Sequence, residues 1–172
     1  MNANELNDEV WVAREPVVAV SSEDVKFLKE KAGANARSKS RLLLHDSVDA
    51  ALHEMVIVHS KGQYIQPLRN VGTSKSFHLI EGTTVCVIFS DEGKIIRHHV
   101  LSHYGGDNEF MIRISDDSYH TLIPLTDKVV FLEAILGPFV RAPRAPWAPD
   151  EEDTLETREY FKNLCSALNI SL

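Results

Sequence analysis

"GQYIQPLRNVGTSKSFHLIEG", residues 62–82, contains two runs of β-forming residues, GQYIQPL and SFHLIEG. They are separated by the turn-forming NVGTS and bounded by Gly62 and Gly82. In an extended chain successive side chains point to opposite faces, so Lys75, Phe77 and Leu79 share one face and His78 takes the other. The segment therefore predicts a lysine on the same side of a strand as two core-forming residues.

Outward from this stretch the pattern continues. EMVIVHS precedes it; TVCVIFSDEGKIIRHHVLSH, EFMIRIS, YHTLIPL and KVVFLEAIL follow, separated by YGGDN, SDDS and LTDK. CVIFSDEGKIIRHHV predicts a hairpin turning through Asp91, Glu92 and Gly93. Short strands with no long helices between them imply a mainly β protein, an antiparallel sandwich or barrel.

The flanks differ. SSEDVKFLKEKAGA predicts a short helix, a lid or packing element, with Ser21 or Ser22 as N-cap and Gly33 near its exit; SKSR then reads as a basic loop. GPFVRAPRAPWAPDEEDT is proline-rich and must be largely extended. DTLETREYFKNLCSALN predicts a second helix, capped by Thr154 or Asp153, with an apolar stripe of Leu155, Tyr160, Phe161, Leu164 and Leu168. The expected division is an N-terminal extension over 1–50, a β-barrel over 51–137, and a proline-rich segment and helix over 138–172.

The chain's 172 residues suit one well-buried core. A formal charge of −7 argues against nucleic acid and anionic membranes as partners. No apolar run approaches the roughly 20 residues that span a bilayer, and MNANELNDEV lacks the features of a signal peptide, so a cytoplasmic location is expected. Cys86 and Cys165 read as packed thiols.

The spacing of the opening stretch resembles the first cupin motif: glycine, five residues, H-x-H, four residues, glutamate, six residues, glycine. With Gly62 as the first glycine, Leu68 and Asn70 stand at the histidine positions, Lys75 at the glutamate and Gly82 at the last glycine. ISDDSYHT is similar to the second motif and keeps its histidine as His120. Together with SKSRLLLHDS, QPLRN, GPF and APWAP, these segments resemble the WbuC-type cupins, over roughly residues 21–152. The resemblance implies a small antiparallel cupin β-barrel of jelly-roll type, with an N-terminal and a C-terminal helix. It also implies a link to O-antigen and related surface-polysaccharide biosynthesis, and a homodimer paired through edge strands.

A cupin metal site holds a divalent ion on imidazoles and one carboxylate. Leucine cannot coordinate, an amide is a weak ligand and an ammonium repels a cation, so the family's metal positions, Leu68, Asn70, Lys75 and His120, predict a degenerate site. No cofactor is expected, with a divalent metal as the alternative. His98, His99 and His103 read as solvated. Two readings of the pocket stand side by side. In one, Asn70, Lys75, Phe77 and His120 bind a sugar or anionic small molecule, or His120 and Lys75 serve a metal-free sugar or sugar-nucleotide isomerase or epimerase as catalytic groups. In the other the barrel is structural or partner-binding, with Lys75 paired to an acid such as Glu133.

Overall fold

The structure, a computed structural model, describes residues 2–152 and 154–171; Asp153, the alternative helix cap, lies outside them. A seven-stranded sheet runs in the order β1 (Ala3–Asn7), β2 (Val10–Ala13), β3 (Lys39–Leu43), β4 (Leu52–Ser60), β10 (Lys128–Leu136), β5 (Lys75–Glu81) and β8 (Met111–Ile114). A three-stranded sheet runs β7 (Ile95–Ser102), β6 (Thr83–Phe89), β9 (Tyr119–Pro124). Strand pairs are antiparallel except β2 with β3. The inner faces of the two sheets meet over Met55, Ile57, Phe77, Cys86, Leu122 and Phe131, which close one end of the barrel with apolar side chains.

Helix α1 (Ser22–Ala34) starts at a capping box: Ser21 Oγ accepts from the Asp24 amide at 3.3 Å, and the Asp24 carboxylate accepts from the Ser21 amide at 2.8 Å. It runs past Gly33. Leu28 and Ala32, both fully buried, pack with Trp11, Leu42, Val56, Val58 and Val130 against the outside of the large sheet. Helix α2 (Leu155–Ala167), capped by Thr154, covers the small sheet with Leu164 and Cys165 over Val85, Val87, Phe89 and Ile123. Covered on both faces, β6 is apolar from Val85 to Phe89 and every residue of β9 is buried.

The hairpin predicted at Gly93 joins β6 to β7, and it needs glycine twice over. Its φ is +84°, and a Cβ there would lie 2.7 Å from the indole of Trp147, which folds back from the proline-rich segment. The tail is thus docked on the turn.

Several expectations are corrected. SKSRLLL is not a loop: Lys39–Leu43 is β3, with Leu42 buried under α1 and Ser40 Oγ donating to the Leu28 carbonyl at 2.7 Å. Its charges sit at every second position and face the barrel interior, which makes a strand look like a loop. GQYIQPL is not a strand. Pro67 lacks an amide to pair, and the segment is tied down by isolated bridges from Leu68 to His120 and Arg144 and by Gln66 Nε2 donating to the Ala148 carbonyl at 3.1 Å. Residues 3–13, within the expected extension, supply two strands of the large sheet. Leu155 leaves the apolar stripe of α2 and is 83% exposed.

Candidate functional site

The other end of the barrel is polar. Strand alternation aims Lys39 and Arg41 of β3, His59 of β4, Lys75 of β5, His120 of β9 and Glu133 of β10 at a cavity of about 150 Å³. Arg144 and Glu151 reach it from the proline-rich segment. Four cations therefore face two carboxylates there, inside a chain whose formal charge is −7. Phe77 and Phe131 form the apolar floor, their rings edge to face at 5.6 Å.

Lys75 is buried, with Nζ 3.5 Å from the Glu133 carboxylate and 5.2 Å from the centre of the Phe77 ring. The pairing anticipated between Lys75 and Glu133 is thus present. Beneath them, burial pushes the Cys86 thiol to about 12, as an inert packed thiol requires.

Both cavity histidines are neutral at pH 7. Burial, reinforced by the Lys75 charge, pushes His120 down to about 3. Burial, with Arg41 and Lys39 nearby, does the same to His59. His120 Nδ1 faces the Ser118 carbonyl at 3.2 Å, an acceptor, so Nδ1 carries the proton. Its Nε2 is left as a bare lone pair, buried and without a hydrogen-bond partner; His59 Nδ1 and the Arg41 Nε–H donor are likewise buried without a partner.

Glu151 gathers the cations. Its carboxylate accepts from Arg37 at 2.6 Å, Lys39 at 3.1 Å and the Gln66 amide at 3.3 Å, and lies 3.1 Å from Arg144 Nη1. Burial raises this carboxyl, but Lys39 and Arg144 outweigh it and hold the group below the ordinary carboxylate range. Lys39 is lowered as well: desolvation disfavours its charged form and outweighs the attraction of Glu151.

Outside this chamber lies a larger one of about 730 Å³, which shares Arg41, Leu68, Lys75, Glu133 and Arg144 with the first. Its wall is formed by β3, β4, β10 and residues 137–144. His45 and His53 stack at its edge, ring centres 4.0 Å apart.

Among the residues singled out in the sequence, Lys75, Phe77, His120 and Leu68 come together at the cavity. Asn70 does not line it: it sits in the irregular segment before β5, where no strand alternation aims its side chain, and its Oδ1 is buried without a partner. His78 points outward beside Phe110, and His98 and His103 are exposed. Sequence reasoning missed Lys39, Arg41, His59, Arg144 and Glu151. The signal for the first two was the alternation in K-S-R-L-L.

A divalent metal at the usual cupin position does not fit these residues. They offer an isobutyl group, an amide turned away, an ammonium and one imidazole nitrogen, and two like unit charges about 4 Å apart repel by about 4 kcal/mol at an effective dielectric of 20. Among the described residues no three His, Cys, Asp or Glu side chains cluster in a way that could hold a metal ion. Among the same residues no helix is long and apolar enough to cross a membrane.

Residues 20–101 match the model of a domain of unknown function, DUF6016. No curated protein matches the sequence. The structure is similar to a cupin 2 conserved barrel domain protein from Rhodopseudomonas palustris, with 17% identity and a TM-score of 0.50 over 77% of this chain and 79% of that one. It is also similar to CapF, crystallised with the inhibitor 3-isopropenyl-tropolone, with 16% identity and a TM-score of 0.52 over 63% of this chain and 30% of CapF. The chain thus spans under a third of CapF, and at these identities the likeness concerns the fold. With two facing sheets around one core and these neighbours, the chain has a cupin β-barrel fold.

Proposed function

We propose that this barrel is a binding module for a small anionic ligand held without a metal. The observation that carries the reading is the cavity itself: Lys39, Arg41, Lys75 and Arg144 converge on it, against Glu133 and Glu151 alone. A ligand carboxylate or phosphate would supply the missing negative charge and accept from Arg41 Nε, while a hydroxyl on the ligand would donate to His120 Nε2. The resemblance to WbuC-type cupins supports a ligand from surface-polysaccharide assembly, where activated sugars carry phosphate, in a cytoplasmic homodimer.

The proton-transfer alternative, with His120 and Lys75 as catalytic groups, is less well supported. An imidazole pushed down to about 3 is a weak base at neutral pH. The binding reading needs no such group.

The test is titration calorimetry with inorganic phosphate, glucose 1-phosphate and glucose on the full chain. The anions are expected to bind and to weaken with added salt, while glucose does not. Lys75→Met and Arg144→Met should each lower the phosphate affinity tenfold or more, with folding checked by circular dichroism. Absence of heat with both anions at millimolar concentration would defeat the proposal.

A further inference from the structure

The outer chamber differs in kind from the inner one. Its floor carries Arg41, Lys75 and Arg144, shared with the inner cavity. Its walls are aliphatic and aromatic: Leu43 of β3, Met55 of β4, Ile135 of β10, and Val48, Phe139 and Val140 from the loops. At the mouth Val48 is 64% exposed, Val71 57%, Leu136 56%, Phe139 63% and Val140 75%. These five apolar side chains encircle a concave volume of about 730 Å³ rather than lying scattered over the surface. That size lies within the range of ligand pockets, roughly 300–1,000 Å³, which are typically apolar with a few polar groups that fix orientation. Sugars present hydroxyls all round and would leave this wall unpaired with anything apolar.

Polar groups are also waiting inside. His53 is 4% exposed, and its Nε2 is buried without a hydrogen-bond partner on the chamber wall. Arg41 Nε is in the same condition at the floor. Both residues line the chamber, and neither atom has a hydrogen-bond partner in the protein.

We infer that the ligand is an amphiphilic anion, a carboxylate or phosphate head carried on an apolar body: the head sits at Arg41, Lys75 and Arg144 and the body lies against Leu43, Ile135, Phe139 and Val140. This rests on the anion-binding reading above and narrows it. The acyl or aryl body stabilises the complex by leaving water for the aliphatic wall, and the cationic floor fixes which end enters first.

The experiment compares inorganic phosphate, glucose 1-phosphate, decyl phosphate and decanol by titration calorimetry, all below the micellar concentration of the decyl compounds. Decyl phosphate is expected to bind at least tenfold more tightly than phosphate or glucose 1-phosphate, and decanol, lacking the head, much more weakly than decyl phosphate. Val140→Asp, at a 75% exposed position, should remove the advantage of decyl phosphate over inorganic phosphate. Arg144→Met should weaken all three phosphates. If glucose 1-phosphate matches or exceeds decyl phosphate, the amphiphile inference is overturned while the anion reading stands. If none of the three phosphates binds, both fall. Dimerisation lost in Val140→Asp, with decyl phosphate binding unaltered by that change, would assign the apolar mouth to a second copy of the chain and overturn the inference.

Discussion

Lys75 and Glu133 form their ion pair on the diagonal of two neighbouring strands: Lys75 stands opposite Ile135 and Glu133 opposite Phe77. Both side chains are directed inward, so each charge is held away from bulk water and depends on the other. Glu133→Gln would leave the ammonium without its acid. The expected cost is about 3 kcal/mol, the low end for breaking a buried pair. Lys75→Met combined with Glu133→Gln should recover much of it. Urea denaturation of the two single variants and the double variant measures the coupling, and additive losses would mean that the 3.5 Å contact carries no energy.

Acid should unfold the protein through its cavity histidines. His59 and His120 are held near 3, below the ordinary 6.5, so the unfolded chain binds more protons than the folded one between those values. Stability therefore falls as pH drops through this window, by up to about 1.4 kcal/mol per pH unit for each group. His120→Gln should flatten the slope of unfolding free energy between pH 6.5 and 5 by up to one proton. Identical slopes for variant and wild type would show that His120 is protonated alike in both states.

Glu151→Gln should loosen the tail. Three cations lose a common partner, at an expected cost of about 2 kcal/mol, somewhat below the range for a fully buried pair because Arg37 is half exposed. The Glu151 carboxyl is held below 4.5, so its contribution is present above that value and is lost as pH falls through its folded value. Variant and wild type should differ at pH 7 and converge under acid. Limited proteolysis around residues 138–150 gives an independent readout, with faster cleavage expected in the variant.

Phe131 and Leu155 make a contrast in apolar packing. Phe131 is 1% exposed and touches the rings of Phe77 and His59, so Phe131→Ala should cost about 3–5 kcal/mol. Leu155, at the start of α2, is 83% exposed, and Leu155→Ala should change stability by no more than about 0.5 kcal/mol. Thermal unfolding of both variants checks the pair, and a large loss at Leu155 would mean that this face is covered in solution.

The barrel was legible wherever local chemistry agreed with the fold. Gly93 and the flanking β-branched runs marked the β6–β7 hairpin, and the alternation after Lys75 separated the inward Phe77 from the outward His78. The site was half legible. Lys75 and Phe77 lie on a strand that alternates clearly, His120 was marked by the second motif, and all three meet at the cavity. Lys39 and Arg41 were hidden because a strand that aims its charges into a barrel has the composition of a loop. Arg144 and Glu151 were hidden for another reason: no local pattern connects residue 151 with residue 39, and only the tertiary fold joins them.

The Glu151 clasp has a consequence for how the chamber comes into being. Its bonds to Lys39 and Arg37 span 112 and 114 positions of the chain. Synthesis proceeds from the N-terminus, so the strands that carry Lys39, His59, Lys75 and His120 leave the ribosome before Glu151, the partner of Lys39. A nascent barrel lacking residues 144–151 has the cations without the clasp and the walls without a roof. On the anion-binding reading, competence to hold a ligand is therefore acquired only once residues 144–151 have been synthesised.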